Sequence, residues 1–456
     1  MAQQSDLFEG GTAVRIRVLS LLALLAGAAL AQNPDTTGAA AEAGGTFNNP
    51  NPLVTLASEF FEHDYVNFFA SAGGLVDFNV PIETASGASN KIGTGISVGG
   101  GVSLYHLWTG SELALTYSGG YTIYNNTSYN NGTPQYLNLS YAKRLNRRVS
   151  MSVGVSGGII LYGTTAYVTE PTASGIVVSN PFSNETRFVG TSVGFNISQT
   201  RRLSYGIYGS YFLTRYTYPG SIGATGASGG ASVNYRLTAR TTVSGVYGHS
   251  YFTYQRNAGS DSVDQVGGNI SHVFNGHWTV SAYGGVGRSE AVGTAVIPVT
   301  LIINGQTVGG YVVGRYNQTS SFPAYSGSVT RALRHSIFSL SAGEGFAGAG
   351  NGYFLASKSI YVTGLYSFSV PGLRGQNISI AGTAARLSSV SNTVSSNFES
   401  ATLSAFYGHS LFRHMGVFLR YDYIQYGALR PFAGVDDNRI SFGFSFSTRS
   451  IPLTLF

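Results

Sequence analysis

The stretch ISFGFSFS, from Ile440 to Ser447, decides how this chain folds. Isoleucine and three phenylalanines occupy every second position, and serine and glycine occupy the positions between them. Side chains of a β-strand point alternately to its two faces, so this strict period of two predicts a strand with one apolar and one polar face. The polar positions carry neither lysine nor glutamate, the residues that a face turned to bulk water usually presents.

The same alternation recurs along the chain in segments whose second face carries Asn, Ser, Gly or Arg: Leu137–Tyr141, Val193–Ser198 and Val233–Leu237. Charged residues form only 10% of the chain, well below the usual roughly 25%. The mean hydropathy is nevertheless only +0.08, because glycine (61 residues), tyrosine (30 residues) and neutral polar side chains take the place of charge. This composition is typical of a barrel wall with lipid on one face and water on the other.

The first 31 residues predict a secretory signal peptide, in which Arg15 and Arg17 precede a short apolar core and Ala29–Ala31 matches a cleavage site. The apolar stretch of about 14 residues is shorter than the roughly 20 that a spanning helix needs. Residues 32–66 have no periodicity and predict a flexible periplasmic lead-in. No later apolar run reaches spanning length, so residues 67–456 can cross a membrane only as a closed barrel, whose strands satisfy one another's backbone groups.

A unit of strand, tight polar turn and strand recurs eight times, with most turns 36 to 40 residues apart. The turns are centred near residues 108, 145, 200, 239, 275, 334, 372 and 412. Two strands before the first turn, two in each interval and two after the last turn predict an all-β, antiparallel transmembrane barrel of about 18 strands. The count becomes 16 if one pair fails and 20 if a further hairpin crosses the membrane.

Two intervals between turns are longer, and their extra residues fall at the opposite end, around 164–185 and 292–322. Residues 294–316 predict a hairpin around Asn304-Gly305, a strong turn signal, which we interpret as a folded extracellular loop. Short turns at one end and longer loops at the other are the asymmetry of outer-membrane barrels. Both termini are expected on the periplasmic side, and an even number of strands follows from this.

Together these features resemble the bacterial outer-membrane β-barrel proteins, porins included, at the level of the class and over residues 67–456. The resemblance implies the outer membrane of a Gram-negative cell as location and its lipid as a partner. The assembly machinery of that class reads a last strand of the form polar-x-Gly-x-x-aromatic-x-hydrophobic. Ser441, Gly443 and Phe446 match this form, and Thr448 departs from it. The barrel-assembly machinery is therefore an implied partner, and a homo-oligomer is another because large porins are commonly trimers.

Basic residues gather at the short turns, with hardly any acidic residue beside them. The candidate periplasmic-rim residues are Lys143, Arg144, Arg147, Arg148, Arg201, Arg202, Arg240, Arg331, Arg334 and Arg413. One interpretation is a girdle of long side chains that contact phospholipid headgroups. The other is an electrostatic funnel that favours anions at the periplasmic mouth.

Five side chains are candidates for the lumen: Arg236, Tyr247, His249, Arg420 and Asp422. Arg420 and Asp422 alternate with apolar residues, and charge at membrane depth indicates function, although an ion pair in a water-filled barrel can also be structural. Tyr247 and His249 belong to one of two Tyr-Gly-His-Ser segments, and alignment of the repeats predicts that they face inward. Without a carboxylate at fixed spacing, such histidines are a weak sign of a metal, and tyrosine packing on glycine is the simpler interpretation.

The sequence excludes several classes of chemistry. It contains no cysteine, which rules out disulfides, zinc–thiolate sites and thiol nucleophiles. The net charge of +6 is modest and does not gather into one run, so nucleic-acid binding has little support. No cofactor, metal or catalytic site is expected.

Three functional hypotheses follow. The first is a passive diffusion channel for small polar solutes, because a barrel of roughly 16–18 strands is too wide for wall side chains to fill. The second is a plugged barrel with a structural, adhesive or binding role, in which residues 164–185 and 292–322 fold inward or contact a partner. A barrel enzyme is the third, with Glu344 as a rim residue that nothing else in the sequence supports.

Overall fold

The fold is described from a computed structural model of the chain. The structure describes residues 65–80, 91–125, 131–161, 166–167, 176–177, 185–217, 222–274, 277–303, 306–333, 335–347, 357–370, 376–389, 397–412, 414–427, 435–448 and 451–452. The predicted signal peptide, and the predicted lead-in as far as residue 64, lie outside these ranges. The first strand begins at Tyr65, two residues before the predicted start of the barrel, because Tyr65 and Val66 already pair with the next strand.

Eighteen long strands form the main sheet. They are β1 (Tyr65–Val80), β2 (Lys91–Trp108), β3 (Ser111–Tyr124), β4 (Gln135–Arg144), β5 (Val149–Leu161), β8 (Glu185–Ser198), β9 (Leu203–Tyr216), β10 (Ala224–Arg236), β11 (Thr241–Tyr254), β12 (Gly259–Phe274), β13 (Trp278–Ile303), β14 (Gln306–Leu333), β15 (Ser336–Ala347), β16 (Ser357–Ser369), β17 (Gln376–Ser389), β18 (Asn397–Ser410), β19 (Met415–Tyr426) and β20 (Val435–Ser447). Three short segments complete the order: β6 (Ala166–Tyr167), β7 (Ile176–Val177) and β21 (Ile451–Pro452). A single turn of 3₁₀-helix spans Gln255–Asn257.

The sheet closes on itself, because β1 pairs with β2 on one side and with β20 on the other. The closing register runs from Phe69↔Ser447 to Phe78↔Asn438, and β21 adds two further pairs with the start of β1. Every long strand is antiparallel to both of its neighbours. The predicted fold, an antiparallel barrel of about 18 strands, is therefore confirmed. None of the helices in the described ranges is long and apolar enough to cross a membrane.

All eight predicted short turns are confirmed as connections between neighbouring strands. Each of these connections is only two to six residues long. Most connections at the opposite end are longer, and the longest runs from β5 to β8 and contains the small β6–β7 pair. Because β1 begins and β20 ends at the short-turn end, both ends of the barrel sequence lie at that end.

The hairpin predicted at residues 294–316 is also confirmed, and it lengthens two barrel strands. Pairing of β13 with β12 ends at Gly259↔Gly293, and pairing of β14 with β15 ends at Tyr325↔Glu344. Beyond Gly293, β13 and β14 pair only with each other, as far as Ile303↔Gln306. The chain thus carries a two-stranded arm beyond the barrel wall, so the arm adds no strand to the barrel.

The outer face of the barrel is an apolar belt whose register is continuous from strand to strand. Phe442 pairs with Leu419 on one side and with Gly74 on the other, so all three side-chain positions share one face. Phe444 is 59% exposed and Val286 is 60% exposed, which would be costly over a whole surface in water. In a bilayer the same belt contacts acyl chains, because closed strands leave no unsatisfied backbone groups.

The closing seam depends on two glycines placed opposite each other, Gly73 and Gly443. A Cβ added to Gly443 would collide with the Ala72 carbonyl oxygen and lie 2.6 Å from the Gly73 Cα. We expect Gly443→Ala to lower the free energy of unfolding by about 1–3 kcal/mol, because the two closing strands must shift apart. Gly245→Ala is the matched control, since a Cβ there meets nothing within 4 Å. Urea unfolding of both variants in lipid vesicles checks this, and equal midpoints would contradict it.

Candidate pore lumen

The inner face carries the residues that alternate with the apolar belt. In β20 the belt residues Phe442 and Phe444 alternate with inner-face residues, which are Ser441, Gly443 and Ser445. The same alternation, followed toward the start of β20, places Arg439 and Asp437 on the inner face. The alternation seen at Ile440–Ser447 extends back to these two residues. The sequence therefore contained the pattern that assigns them to the lumen, although neither was among the predicted lumen residues. The inner face holds two distinct groups of side chains, one charged and one aromatic.

The charged group begins with Arg420 and Asp422, which lie on the inner face of β19. The Nε atom of Arg420 donates to Asp422 Oδ1 at 2.9 Å, and Nη2 lies 2.8 Å from the same oxygen. Ser404, directly opposite on β18, also donates to this oxygen. The Arg420 side chain is 21% exposed and that of Asp422 is 9% exposed, so the guanidinium is the more accessible partner.

A second ion pair crosses the seam between β20 and β1. Both Nε and Nη2 of Arg439 donate to Asp77 Oδ2 at 3.0 Å, and Asp437 Oδ2 lies 3.8 Å from Nη2. The hydroxyl of Tyr124, on β3, donates to the same oxygen of Asp77 at 3.0 Å. The two carboxylates are fully buried, and Arg439 pairs across the strands with Asp422 as well as with Asp77. The two ion pairs therefore form one continuous charged wall, defined here as the residues Asp77, Arg420, Asp422, Asp437 and Arg439.

The aromatic group lies on the strands from β4 to β15. Its rings are Tyr136, Phe188, Phe212, Phe252, Phe322 and Phe346, together named the aromatic cluster. Phe252 alternates with Tyr251, which is exposed on the outer face, and Phe252 itself is only 1% exposed. The ring of Phe252 lies 5.6 Å from that of Phe212, and the two rings cover Gly226, where any Cβ would collide with both. Glycine at this position lets the rings pack directly on the backbone of β10.

The aromatic cluster extends beyond the wall. Phe346 of β15 lies 5.5 Å from Phe252 of β11, centroid to centroid, and 5.8 Å from Phe322 of β14. Three strands separate β11 from β15, and four strand spacings measure about 19 Å along the wall. Rings that meet across such a span must reach over the interior. Phe346 has the outer parity of β15, like Glu344, so the end of β15 must turn over the interior beyond its last pair with β14 for this ring to reach Phe252. The cluster therefore fills part of the cross-section on that side.

The charged wall and the aromatic cluster face each other. The charged wall is centred on β20, and the aromatic cluster is centred near β11. Counting around the ring of eighteen strands, β20 and β11 are nine strands apart in either direction. The lumen consequently has an ionic side and an apolar side, half a turn apart.

The structure distributes the five predicted lumen residues between both faces. Arg420 and Asp422 lie on the inner face, and so does Arg236, at the short-turn end of β10, where its Nη2 donates to the Ala239 carbonyl at 3.0 Å. Tyr247 and His249 instead lie on the outer face, the face of Val266, which pairs with Tyr247. The predicted inward orientation of these two residues is wrong.

The failed prediction has a physical reason. On β11 the inner face carries the ring of Phe252, whereas the inner face of a strand such as β20 carries polar residues. The polarity of a side chain therefore does not indicate which face of β11 points inward. Outside, the Tyr247 hydroxyl donates to Asp264 Oδ1 at 2.8 Å, and His249 Nδ1 lies 3.0 Å from the same oxygen. Within the described residues, no group of three His, Cys, Asp or Glu side chains is placed to hold a metal ion.

The predicted rim residues also divide between the faces. Arg331 lies on the outer face, with its guanidinium 5.2 Å from the ring centre of Trp278. Lys143 shares the outer parity of its strand, and Arg144 shares the inner parity. Five further rim residues lie in or beside the short turns and are exposed: Arg147, Arg148, Arg201, Arg202 and Arg240. Arg334 and Arg413 lie outside the described residues. Glu344 lies on β15 opposite Tyr325, whose side chain forms a hydrogen bond with it.

No protein-family model and no curated protein sequence matches the chain. Solved structures do resemble it. The BenF-like porin from Pseudomonas fluorescens Pf-5 matches with a TM-score of 0.41 and 11% identity, over 86% of this chain and 100% of that chain. OccK5 (OpdH) of Pseudomonas aeruginosa matches with a TM-score of 0.40 and 10% identity, over 85% of this chain and 99% of that one. OccK2 (OpdF) of the same organism, in complex with glucuronate, gives the same four values. The likeness is to the barrel architecture of porins, at the level of the class.

Proposed function

We propose that this chain is a passive diffusion channel for small polar solutes in the outer membrane of a Gram-negative bacterium. The observation that carries the proposal is the closure of eighteen strands into one ring. A ring of about eight strands can be filled by its own side chains, whereas 16 to 18 strands leave an aqueous lumen. The ionic side of the lumen supports the proposal, because Arg420 and Arg439 keep partial exposure there.

The basic residues at the short-turn end fit a membrane position with that end in the periplasm. We propose that the outward-facing members, such as Arg331 over Trp278, contact phospholipid headgroups. The inward-facing Arg144 and Arg236 line the periplasmic mouth, and Ser441, Gly443 and Phe446 in β20 form the signal for the barrel-assembly machinery. Association into a homo-oligomer belongs to the same proposal.

One observation favours the alternative, a plugged barrel. The aromatic cluster fills part of the cross-section, and the two-stranded arm at residues 294–316 rises from the strands that carry Phe322 and Ala291. In a plugged barrel, the arm would close what the cluster leaves open. In a channel, the arm would lie outside the permeation path.

Planar-bilayer recording separates the two functions. We expect the purified wild-type protein to insert in discrete conductance steps, because an aqueous lumen crosses the membrane. Deletion of residues 294–315 joins Gly293 to Tyr316 and leaves these two residues as the turn between Val292 and Asn317, which pair with each other. This deletion should leave the step size nearly unchanged. A wild-type protein that is silent at all voltages, but conducts after the deletion, would establish the plugged barrel instead. Deletion of residues 168–175, which lie between β6 and β7 in the connection from β5 to β8, tests the other segment of the plugged-barrel hypothesis and should also leave the step size nearly unchanged.

A further inference from the structure

Asp261, on the inner face of β12, lies within the aromatic cluster. It pairs across the strands with Phe252, a ring of that cluster on β11, and with Ala291 of β13, which is buried in the same apolar core. Its residue exposure is 1%, and one carboxylate oxygen, Oδ1, accepts a hydrogen bond from Ser289 at 2.8 Å. The other oxygen, Oδ2, is buried and has no hydrogen-bond partner among the described residues.

A carboxylate oxygen that is buried among aromatic rings without a hydrogen-bond partner is energetically unfavourable. A ligand that pairs with this oxygen would remove that penalty, so the oxygen indicates the kind of ligand that the site can bind. Burying a polar atom without a partner is unfavourable, and more so if the group is charged. Gln265, four residues along the same face, also has an acceptor, Oε1, without a partner in the described part of the chain. Both orphan atoms are oxygens, which a cation would satisfy and an anion would not. The faces of the surrounding rings attract cations as well.

Among the described residues away from the short turns, acidic side chains outnumber basic ones on the inner face. This holds for the described ionic side chains on the inner face of the barrel strands, apart from those of the two strand residues on each side of every short turn. They are four aspartates and two arginines. These are Asp77, Asp261, Asp422, Asp437, Arg420 and Arg439. Because both arginines are held by aspartates of the charged wall, Asp261 is the ionic group of this set that has no basic partner in the described structure.

From these observations we propose that the aromatic cluster is the narrowest part of the pore and that Asp261 within it makes the channel select small cations over anions. The inference rests on the proposed channel function and names the residue that sets its selectivity. Because Asp261 is 1% exposed, its carboxylate lies within the wall of the passage and acts on passing ions from a short distance. Little solvent screens a charge in such apolar surroundings, so it acts on ions more strongly than a carboxylate in open water.

The test is the reversal potential of the wild-type and Asp261→Asn proteins in planar bilayers under a KCl gradient. We expect the wild type to favour K⁺ over Cl⁻, and the asparagine variant to lower that permeability ratio by at least about threefold. The matched control is Asp264→Asn, which removes a carboxylate three residues away on the same strand but on the outer face, beside Tyr247 and His249. This control should keep the wild-type ratio.

The outcomes are distinguishable. A conducting wild type that favours Cl⁻ overturns the inference even if no variant folds, and so does an unchanged ratio in a conducting Asp261→Asn protein. An equal fall in the Asp264→Asn control also overturns it, because the effect would then not come from the lumen. A wild type that never conducts overturns the channel itself, and the inference with it.

Discussion

Replacement of Arg439 by alanine is expected to lower the free energy of unfolding of the barrel by about 3–5 kcal/mol, the largest effect of any single ionic substitution here. Arg439 makes two hydrogen bonds to Asp77 and lies near Asp437, and both carboxylates are fully buried. Without the guanidinium, two carboxylates would be left side by side in a buried site at the closing seam. Equilibrium urea unfolding in phospholipid vesicles, followed through the fluorescence of Trp108 and Trp278, measures the loss.

The control for Arg439 is Arg386→Ala. Arg386 and Glu399 pair on β17 and β18 with a distance of 3.9 Å between Nε and Oε1, and their side chains are 50% and 46% exposed. Exposed pairs of this kind contribute about 0–1 kcal/mol, because water screens both charges. A loss at Arg439 no larger than at Arg386 would mean that Asp77 and Asp437 are solvated, and that the seam has no buried ionic group.

Replacement of Phe252 by alanine is expected to have two effects at once. The ring is 1% exposed and packs on Phe212 and Phe346, so its removal should lower the free energy of unfolding by about 3–5 kcal/mol. Because those rings reach over the interior, the same change should enlarge the conductance step. Unfolding in vesicles measures the first effect, and single-channel recording measures the second.

Phe444→Ala is the control for Phe252→Ala, because it removes a phenylalanine ring from the outer face, where Phe444 is 59% exposed. This substitution should leave the conductance unchanged, because Phe444 takes no part in the lumen. A Phe252→Ala protein with wild-type conductance would place the aromatic cluster outside the permeation path, and would leave it a purely structural role.

Much of the fold followed from local patterns. The alternation at Ile440–Ser447 predicted both the last strand and its lipid face, and β20 has that face. The polar turns predicted the eight short connections, because a hairpin is formed by residues adjacent in sequence. The strand number followed from counting these hairpins. The Asn304-Gly305 signal predicted the arm, whose flanking strands pair through Ile303↔Gln306.

The lumen was much less accessible from the sequence. Asp77 and Arg439 are 362 positions apart, and only closure of the ring brings them together. Asp261 lies in a segment whose inner face also holds Val263, so its polarity pattern gave no sign of a functional carboxylate. Alignment of the repeats assigned Tyr247 and His249 to the lumen, but the inner face of β11 carries Phe252, and these two residues lie on the outer face.

The sequence by itself determined the strands, their order, the short turns and the antiparallel ring, since each of these depends on side chains that alternate within one strand or on neighbouring strands joined by a turn. Only the tertiary structure decided which residues meet in the interior: the charged wall across the β20–β1 seam, and the rings of Phe252 and Phe346 on strands four places apart. The reason is geometric. Contacts within a hairpin are fixed by sequence spacing, whereas contacts across a lumen depend on the closure and the local shape of the whole ring.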